Sequence, residues 1–248
     1  MLVKTEAIVV KRTPYTDHSA VVKLFTREFG LLPFLIQGLH GKHNKNSLFQ
    51  PGTLIEVVFH KQNKGMMRAK EVSLVSGWGY SHFPIHDQVR WFFLELLSHV
   101  LHEEQPEELL FHSAKNTFQK LNDGCKELPI LPILFLYEFC EVTGHGLQLN
   151  AESIAIGLDI LSGSVATSRS IPSNTIEPDA CEILAKIVSG EISSAPAKVR
   201  RVLVNKLVDY IETHVIPGKT IQSLAPQPNP PCFWIQQTSE RADVARWV

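Results

Sequence analysis

The sequence predicts an α+β, multi-domain chain: a small five-stranded β-barrel first, then an all-α domain carrying a short irregular or β-hairpin insert. Three observations carry that expectation. Over the first 80 residues Val, Ile, Phe and Thr recur in short runs between turn residues. After Gly77 the apolar residues recur at three and four instead. Charge divides along the same line, because residues 1–80 hold 11 Lys and Arg against 5 Asp and Glu, and residues 81–248 hold 13 against 20. A net charge of −1 thus conceals a basic module joined to an acidic one. That fits a first part that touches a polyanion and a second that does something else, and it fits equally a solvated surface of uneven charge.

The expected strands are Thr5 to Arg12, Ala20 to Thr26, Leu31 to Gln37, Leu54 to His60 and Met67 to Val75. Pro14, Gly30, Gly38 to Gly41, Pro51-Gly52 and Asn63 to Gly65 punctuate them. In the fourth run Ile55, Val57 and Phe59 alternate with Leu54, Glu56, Val58 and His60, which fits one buried face and one mixed face of an antiparallel sheet. Among small five-stranded barrels the OB-fold is the natural candidate, and its exposed sheet face and loops bind oligonucleotides. Next comes an amphipathic helix over His86 to His102, with Val89, Phe92, Phe93, Leu96, Leu97 and Val100 on one stripe and Asp87 near its start. A second helix is expected to have Pro106 in its first turn ahead of Glu107 and Glu108, with Leu110, Ala114, Phe118 and Leu121 as its stripe. A third, Ile133 to Thr143, is apolar nearly all round, which places it centrally, and Gly144 stops it.

From Asn150 to Pro178 the composition predicts a hairpin or irregular insert turning at Ser162-Gly163-Ser164. Helices resume over Pro178 to Val188 and Pro196 to His214, and Pro217-Gly218 ends the last. The expected division is a nucleic-acid-binding domain at 1–80, a helical domain at 81–224 with its insert at about 150–178, and a Pro-rich tail at 225–248 that is either mobile or docked.

Several function classes fall away. With 44% hydrophobic and 20% charged residues the chain is not disordered throughout. The longest apolar run, Leu128 to Tyr137, is broken by two prolines and is about half of the roughly 20 residues a bilayer span needs. No apolar h-region precedes Lys4 and Glu6, so a cytoplasmic location and no membrane partner are expected. Cys125, Cys140, Cys181 and Cys232 form no Cys-x-x-Cys pair and read as buried free thiols. None of the eleven histidines falls in a catalytic or metal spacing. Pro84 separates His82 from His86; His99 with Glu103 offers too few ligands; Asp17-His18-Ser19 holds consecutive side chains that point apart. The loop Gly38-Leu39-His40-Gly41-Lys42-His43 lacks the spacing and the Ser or Thr of a nucleotide-hydrolysing phosphate loop. No catalytic residue, no metal and no cofactor is expected.

What remains is a binding surface. Lys42, His43 and Lys45 among Asn44, Asn46 and Ser47 suit phosphate-backbone contact, with Lys11, Arg12 and Lys23 as basic neighbours; an inert solvated turn is the plainer alternative. Tyr15, in a turn, is the better candidate for base stacking, while Phe34, in an apolar strand, suits the core. In the helical domain Lys198, Arg200, Arg201 and Lys206 form the densest basic cluster, beside Val199, Leu203 and Leu207. It suits an acidic peptide ending in apolar residues, or it is the charged solvent face of an amphipathic helix.

These residues resemble a known family. The opening VKTEAIVVKRTPYTDHSAVVKLFTREFGLLPFLIQG, Val3 to Gly38, is similar to the N-terminal signature of the bacterial DNA repair protein RecO family. The matching features are a strand into Lys11-Arg12, Tyr15-x-x-x-Ser19, Leu24-x-Thr26 and Gly30. Phe49-x-Pro51-Gly52 leading to His60, and Leu136-Tyr137-Glu138-Phe139 followed by Gly144-x-Gly146-x-x-Leu149, resemble it too, so the likeness runs over roughly residues 1–224.

The resemblance implies an N-terminal OB-fold, a helical C-terminal domain and a mediator of recombination that is not an enzyme. It also implies binding to single- and double-stranded DNA, annealing of complementary strands, nucleoid association, and partnership with RecR and the C-terminal tail of single-stranded DNA-binding protein in loading RecA. Lys42 and Lys45 match the family's basic loop, which is denser in Arg and Lys in many members. Many relatives carry a four-cysteine zinc site after the position of Gly144. This chain has no cysteine between Gly144 and Pro178, so a zinc-free member is expected, with Ile156 to Thr167 filling that space. Without the family, the barrel would read as an OB-fold adaptor for RNA or protein.

Overall fold

The computed structural model describes residues 2–38, 45–62, 65–75, 78, 84–124 and 126–223. The chain divides into two compact units, Met1–Gly124 and Cys125–Val248.

In the first unit five strands form one antiparallel sheet: β1 (Leu2–Thr16), β2 (Ser19–Thr26), β3 (Gly30–Gln37), β4 (Leu54–His60) and β5 (Ala69–Leu74), in the order β3-β2-β1-β4-β5. β1 is longer at both ends than its apolar run, because its polar end residues are held by partner strands rather than by burial. Its first half pairs with β4 (Leu2 to Ile8 against His60 to Leu54) and its second with β2, so a single strand belongs to two parts of the sheet. A register shift between Val9 and Lys11 marks the bend. The barrel expected from sequence is a curved sheet without a continuous closing ladder. Its β3 edge meets the residues before β5 at one parallel bridge, Phe34 to Met67, where Leu35 N–H donates to the Met67 carbonyl (2.9 Å) and Met67 N–H to the Pro33 carbonyl (2.8 Å).

The curve encloses a core of Ala7, Val9, Ala20, Val22, Leu24, Leu32, Phe34, Ile36, Phe49, Ile55, Val57, Phe59 and Met67. Ile55, Val57 and Phe59 fill it from alternate positions of β4, and Phe34 meets Phe59 edge-on with ring centroids 5.1 Å apart. Two helices complete the unit, α1 (Pro84–Val100) and α2 (Glu108–Asp123), and Phe111 of α2 packs edge-on against Phe25 of β2 at 5.3 Å. Pro106 lies outside α2, before its N-cap Glu107, contrary to the expected first-turn position. The observed divide after Gly124 thus places both helices with the sheet.

The second unit holds α3 (Leu131–Val142), α4 (Ala151–Ile156), β6 (Leu158–Asp159), β7 (Ser164–Val165), β8 (Thr175–Ile176), α5 (Pro178–Val188) and α6 (Ala197–His214). α3 is apolar nearly all round, packs on α5 and α6, and stops at Gly144, whose φ of +79° is the left-handed conformation glycine adopts without cost. The insert is more regular than expected. Asn150 caps α4 by accepting from the N–H groups of Glu152 (3.0 Å) and Ser153 (2.9 Å), and β6 pairs with both β7 and β8 in a three-stranded sheet. The turn between β6 and β7 passes through Gly163, where a Cβ would sit 2.7 Å from the Tyr210 hydroxyl. Among the described residues no helix is long and apolar enough to cross a membrane.

Candidate nucleic-acid interface

Four of the seven expected DNA-contacting residues, Lys11, Arg12, Tyr15 and Lys23, fall on the second half of β1 and on β2. Beyond Val9 this part of β1 pairs with β2 alone. Lys11 lies directly opposite Lys23 across the ladder, so both side chains leave the same face. That is the outer face, because Ala20, Val22 and Leu24 take the alternate positions of β2 into the core. Arg12 points to the other side. With Pro14, Tyr15, Thr16, Asp17, Ser19 and Ala20 it lines an open depression of about 390 Å³, in which Asp17 is the one carboxylate among the lining residues. Phe34 is fully buried, as its apolar strand suggested, and Tyr15 is 64% exposed; contrary to the expected turn, Tyr15 lies within β1, whose end is held by its pairing with β2.

The six cations predicted for DNA therefore do not form one set. Lys11 and Lys23 share an outer face; Arg12 joins Tyr15 in the depression; Lys42 and His43 lie outside the described residues. Lys45 opens a short 3-10 turn, Lys45–Phe49, and its side chain lies outside the described set. Gly38 N–H, immediately before the Leu39-to-Lys45 stretch, donates to the His18 carbonyl in the β1–β2 turn (2.9 Å).

Of these cations Lys23 is ion-paired. Its ammonium pairs with Glu103 at 3.1 Å. Glu103, weighed above with His99 as a metal pair, is thus turned toward a lysine, and no cluster of three or more metal-ligating groups occurs among the described residues. Arg27 similarly pairs with Glu108 at 3.1 Å, Lys4 with Glu56 at 2.9 Å and Lys115 with Glu6 at 2.7 Å. Lys11 and Arg12 have no acidic partner among the described residues.

The four cations of α6 differ in their surroundings. Arg200 donates to the Ala195 carbonyl at 2.6 Å, and burial lowers its pKa; Lys206 donates to the Ser173 carbonyl. Both hold neighbouring chain to the helix. Lys198 and Arg201, three apart on one face, are exposed, and Val202 beside them is 38% exposed. Sequence reading also missed Arg90. This arginine is 1% exposed on α1, ion-paired with Asp87, and its Nη2 donates to Asn122 Oδ1 at 2.9 Å. Gly52, at φ +84°, leaves room for it: a Cβ there would lie 2.5 Å from Arg90 Cδ. The available signals were the Asp87-x-x-Arg90 spacing and the Pro51-Gly52 turn.

A curved five-stranded antiparallel sheet with an exposed basic ribbon, followed by a mainly helical unit, defines the class: an OB-type binding module joined to a helical partner. The sequence matches the profiles described as Recombination protein O N terminal over residues 1–78 and Recombination protein O C terminal over residues 91–219. The chain belongs to the Recombination protein O family. It is similar to the DNA repair protein RecO of Christiangramia forsetii, 28% identical over 169 residues that cover 66% of this chain and 70% of the relative. The RecO of Flavobacterium psychrophilum is 33% identical over 116 residues, 45% of this chain and about half (49%) of the relative's length. That of Azobacteroides pseudotrichonymphae is 24% identical over 237 residues, 91% and 97% of the two chains.

Proposed function

We propose that this protein acts in DNA repair as a recombination mediator and not as an enzyme. In this reading it binds single- and double-stranded DNA, anneals complementary strands and, with RecR, helps load RecA on DNA coated with single-stranded DNA-binding protein. The contacting domain is residues 1–80, with Lys11, Arg12, Tyr15, Lys23, Lys42, His43 and Lys45 at the DNA. Exposed Lys198 and Arg201 are the cations of α6 best placed to meet the acidic tail of the single-strand binder, while Arg200 and Lys206 shape that surface from behind.

The observation that supports the reading most is the Lys11–Lys23 pair opposite one another on an exposed ribbon whose other side holds Arg12 and Tyr15. Cations gathered this way gain affinity by releasing counterions from phosphates, and an exposed ring at their edge adds base stacking worth about 1–3 kcal/mol.

The test is annealing of complementary oligonucleotides coated with the cognate single-strand binder, with Lys42→Glu/Lys45→Glu in parallel. Wild type is expected to anneal, and the double variant to bind more weakly with a shallower salt dependence. Affinity indifferent to both salt and substitution rejects the reading. Capture of RNA or a protein in place of DNA favours an OB-fold adaptor.

A further inference from the structure

We infer that the acidic segment between α1 and α2 is an internal stand-in for nucleic-acid phosphate: Glu103 occupies Lys23 in the free protein, and a DNA backbone displaces it to reach the Lys11–Lys23 pair. The inference rests on the DNA-binding reading of the β1–β2 ribbon and adds an autoinhibitory contact to it.

Electrostatics comes first. Like charges directly opposite on neighbouring strands repel, so Lys11 beside Lys23 calls for an anion. In the free protein a carboxylate from 80 residues further along the chain supplies it. Just beyond the end of β2, Arg27 is held by Glu108, the first residue of α2. The segment is also seated on the sheet by its backbone. Leu31 and Glu103 form a parallel bridge, and Glu104 N–H donates to the Leu31 carbonyl at 3.1 Å. Gly30, at φ +70°, admits the segment because any Cβ there would overlap the backbone of Gln105.

Two features make this contact displaceable rather than simply structural. The Lys23 and Glu103 side chains are 42% and 56% exposed, so their attraction is screened and open to competition by a denser anion. Glu104 is the single non-glycine residue at positive φ (+60°) among those described, a strained conformation that persists only while surrounding contacts hold it. A polyanion along the ribbon replaces one of those contacts with phosphate. Binding then carries an internal competitor, which lowers affinity and makes engagement depend on several phosphates arriving together.

The experiment compares the full chain with Glu103→Gln, binding a labelled oligothymidylate across a range of salt concentrations. Glu103→Gln keeps size and backbone, and its expected effect is affinity several-fold tighter, with log K against log salt steeper by about 0.7, the increment for one more phosphate neutralised on a single strand. Adding Lys23→Gln is expected to cancel the gain, whereas Glu107→Gln, an equal charge change without an ion pair to β2, is expected to leave affinity within two-fold. Equal affinity and slope for wild type and Glu103→Gln, with both binding, overturn the stand-in and leave DNA binding intact. A gain that survives Lys23→Gln, or that Glu107→Gln reproduces, also overturns it. No salt-dependent binding by any of these proteins overturns the DNA-binding reading and the inference together.

Discussion

In the second unit, polar side chains serve their own backbone. Arg200 and Lys206 donate to the Ala195 and Ser173 carbonyls, Asn150 accepts two N–H groups at the start of α4, the His214 ring meets the Ile160 carbonyl at 3.1 Å, and Asp159 takes the Leu161 N–H at 2.8 Å. At the β1–β2 end of the first unit, Lys11 and Arg12 have no acidic partner among the described residues, and Lys23 has an exposed one. The difference separates two meanings of a charged residue. Along the sequence α6 carries the densest cationic cluster, yet half of it, Arg200 and Lys206, is spent closing loops, whereas Lys11 and Arg12 of β1 have no acidic partner among the described residues.

Reversing charge in the two places is the strongest way to break this comparison. Lys11→Glu/Arg12→Glu is expected to weaken single-stranded DNA binding by about 100-fold at low salt and to flatten the salt slope by about 1.4, two contacts at about 0.7 each. Lys198→Glu/Arg201→Glu is expected to change DNA affinity by less than about two-fold. Fluorescence anisotropy titrations at several salt concentrations measure both. Equal losses in the two variants would show that the exposed cations of α6 serve DNA as those of β1 do, and would erase the distinction between the two surfaces.

How much of this was legible in the sequence follows from what local pattern encodes. The five strands, α1, α3, α5 and α6 announce themselves through periodicity, because one face of each is buried and its spacing is written in apolar residues. The burial of Phe34 was likewise legible from its apolar strand, whereas Tyr15, expected in a turn, lies in the extended end of β1. α4 was missed since its six residues are too few for a period, although Asn150 with Ser153 three residues later is a capping signal. The partners of Lys23, Arg27, Arg200 and Arg90 were invisible for another reason. Three of these contacts join residues 32 to 81 positions apart, and such pairings are set by the folded path and not by any neighbour. Arg200 reaches only five residues back, but to a backbone carbonyl, which residue type does not reveal.

A second comparison concerns alkaline pH. Among the described residues the thiols and phenols with raised pKa all lie in the second unit. Burial, then the Glu141 charge, pushes Cys140 up to about 12; burial pushes Cys181 up to about 11; burial, then the charge and hydrogen bond of Glu141, pushes Tyr137 up to about 12; and Tyr210 is raised by burial. Each is protonated in the fold at a pH where the unfolded chain has begun to ionise. The stability they contribute is therefore complete below the unfolded thiol value of 9.0 and is lost as pH rises toward 12. The fully buried Cys140 alone is expected to remove about 1 kcal/mol by pH 10, so Cys140→Ala should flatten the fall in denaturant midpoint between pH 9 and 10.5 relative to wild type. An identical fall in both proteins would place the alkaline limit elsewhere.

The smallest effect tests whether backbone service in the second unit is chemical or merely geometric. Asn150 sits at an extended backbone conformation (φ −137°) and makes a reciprocal capping box, its side chain accepting from Ser153 N–H while the Ser153 hydroxyl accepts from its own N–H at 2.9 Å. Asn150→Ala removes the acceptor and is expected to cost about 1 kcal/mol; Asn150→Gly, which leaves the N–H groups open to water, is expected to cost only a few tenths. Urea denaturation resolves the pair. Because the extended backbone demands no glycine, a Gly variant that destabilises more than the Ala variant would show that chain stiffness, and not the side-chain acceptor, fixes the start of the insert, and the parallel drawn with Arg200 and Lys206 would fail at this position.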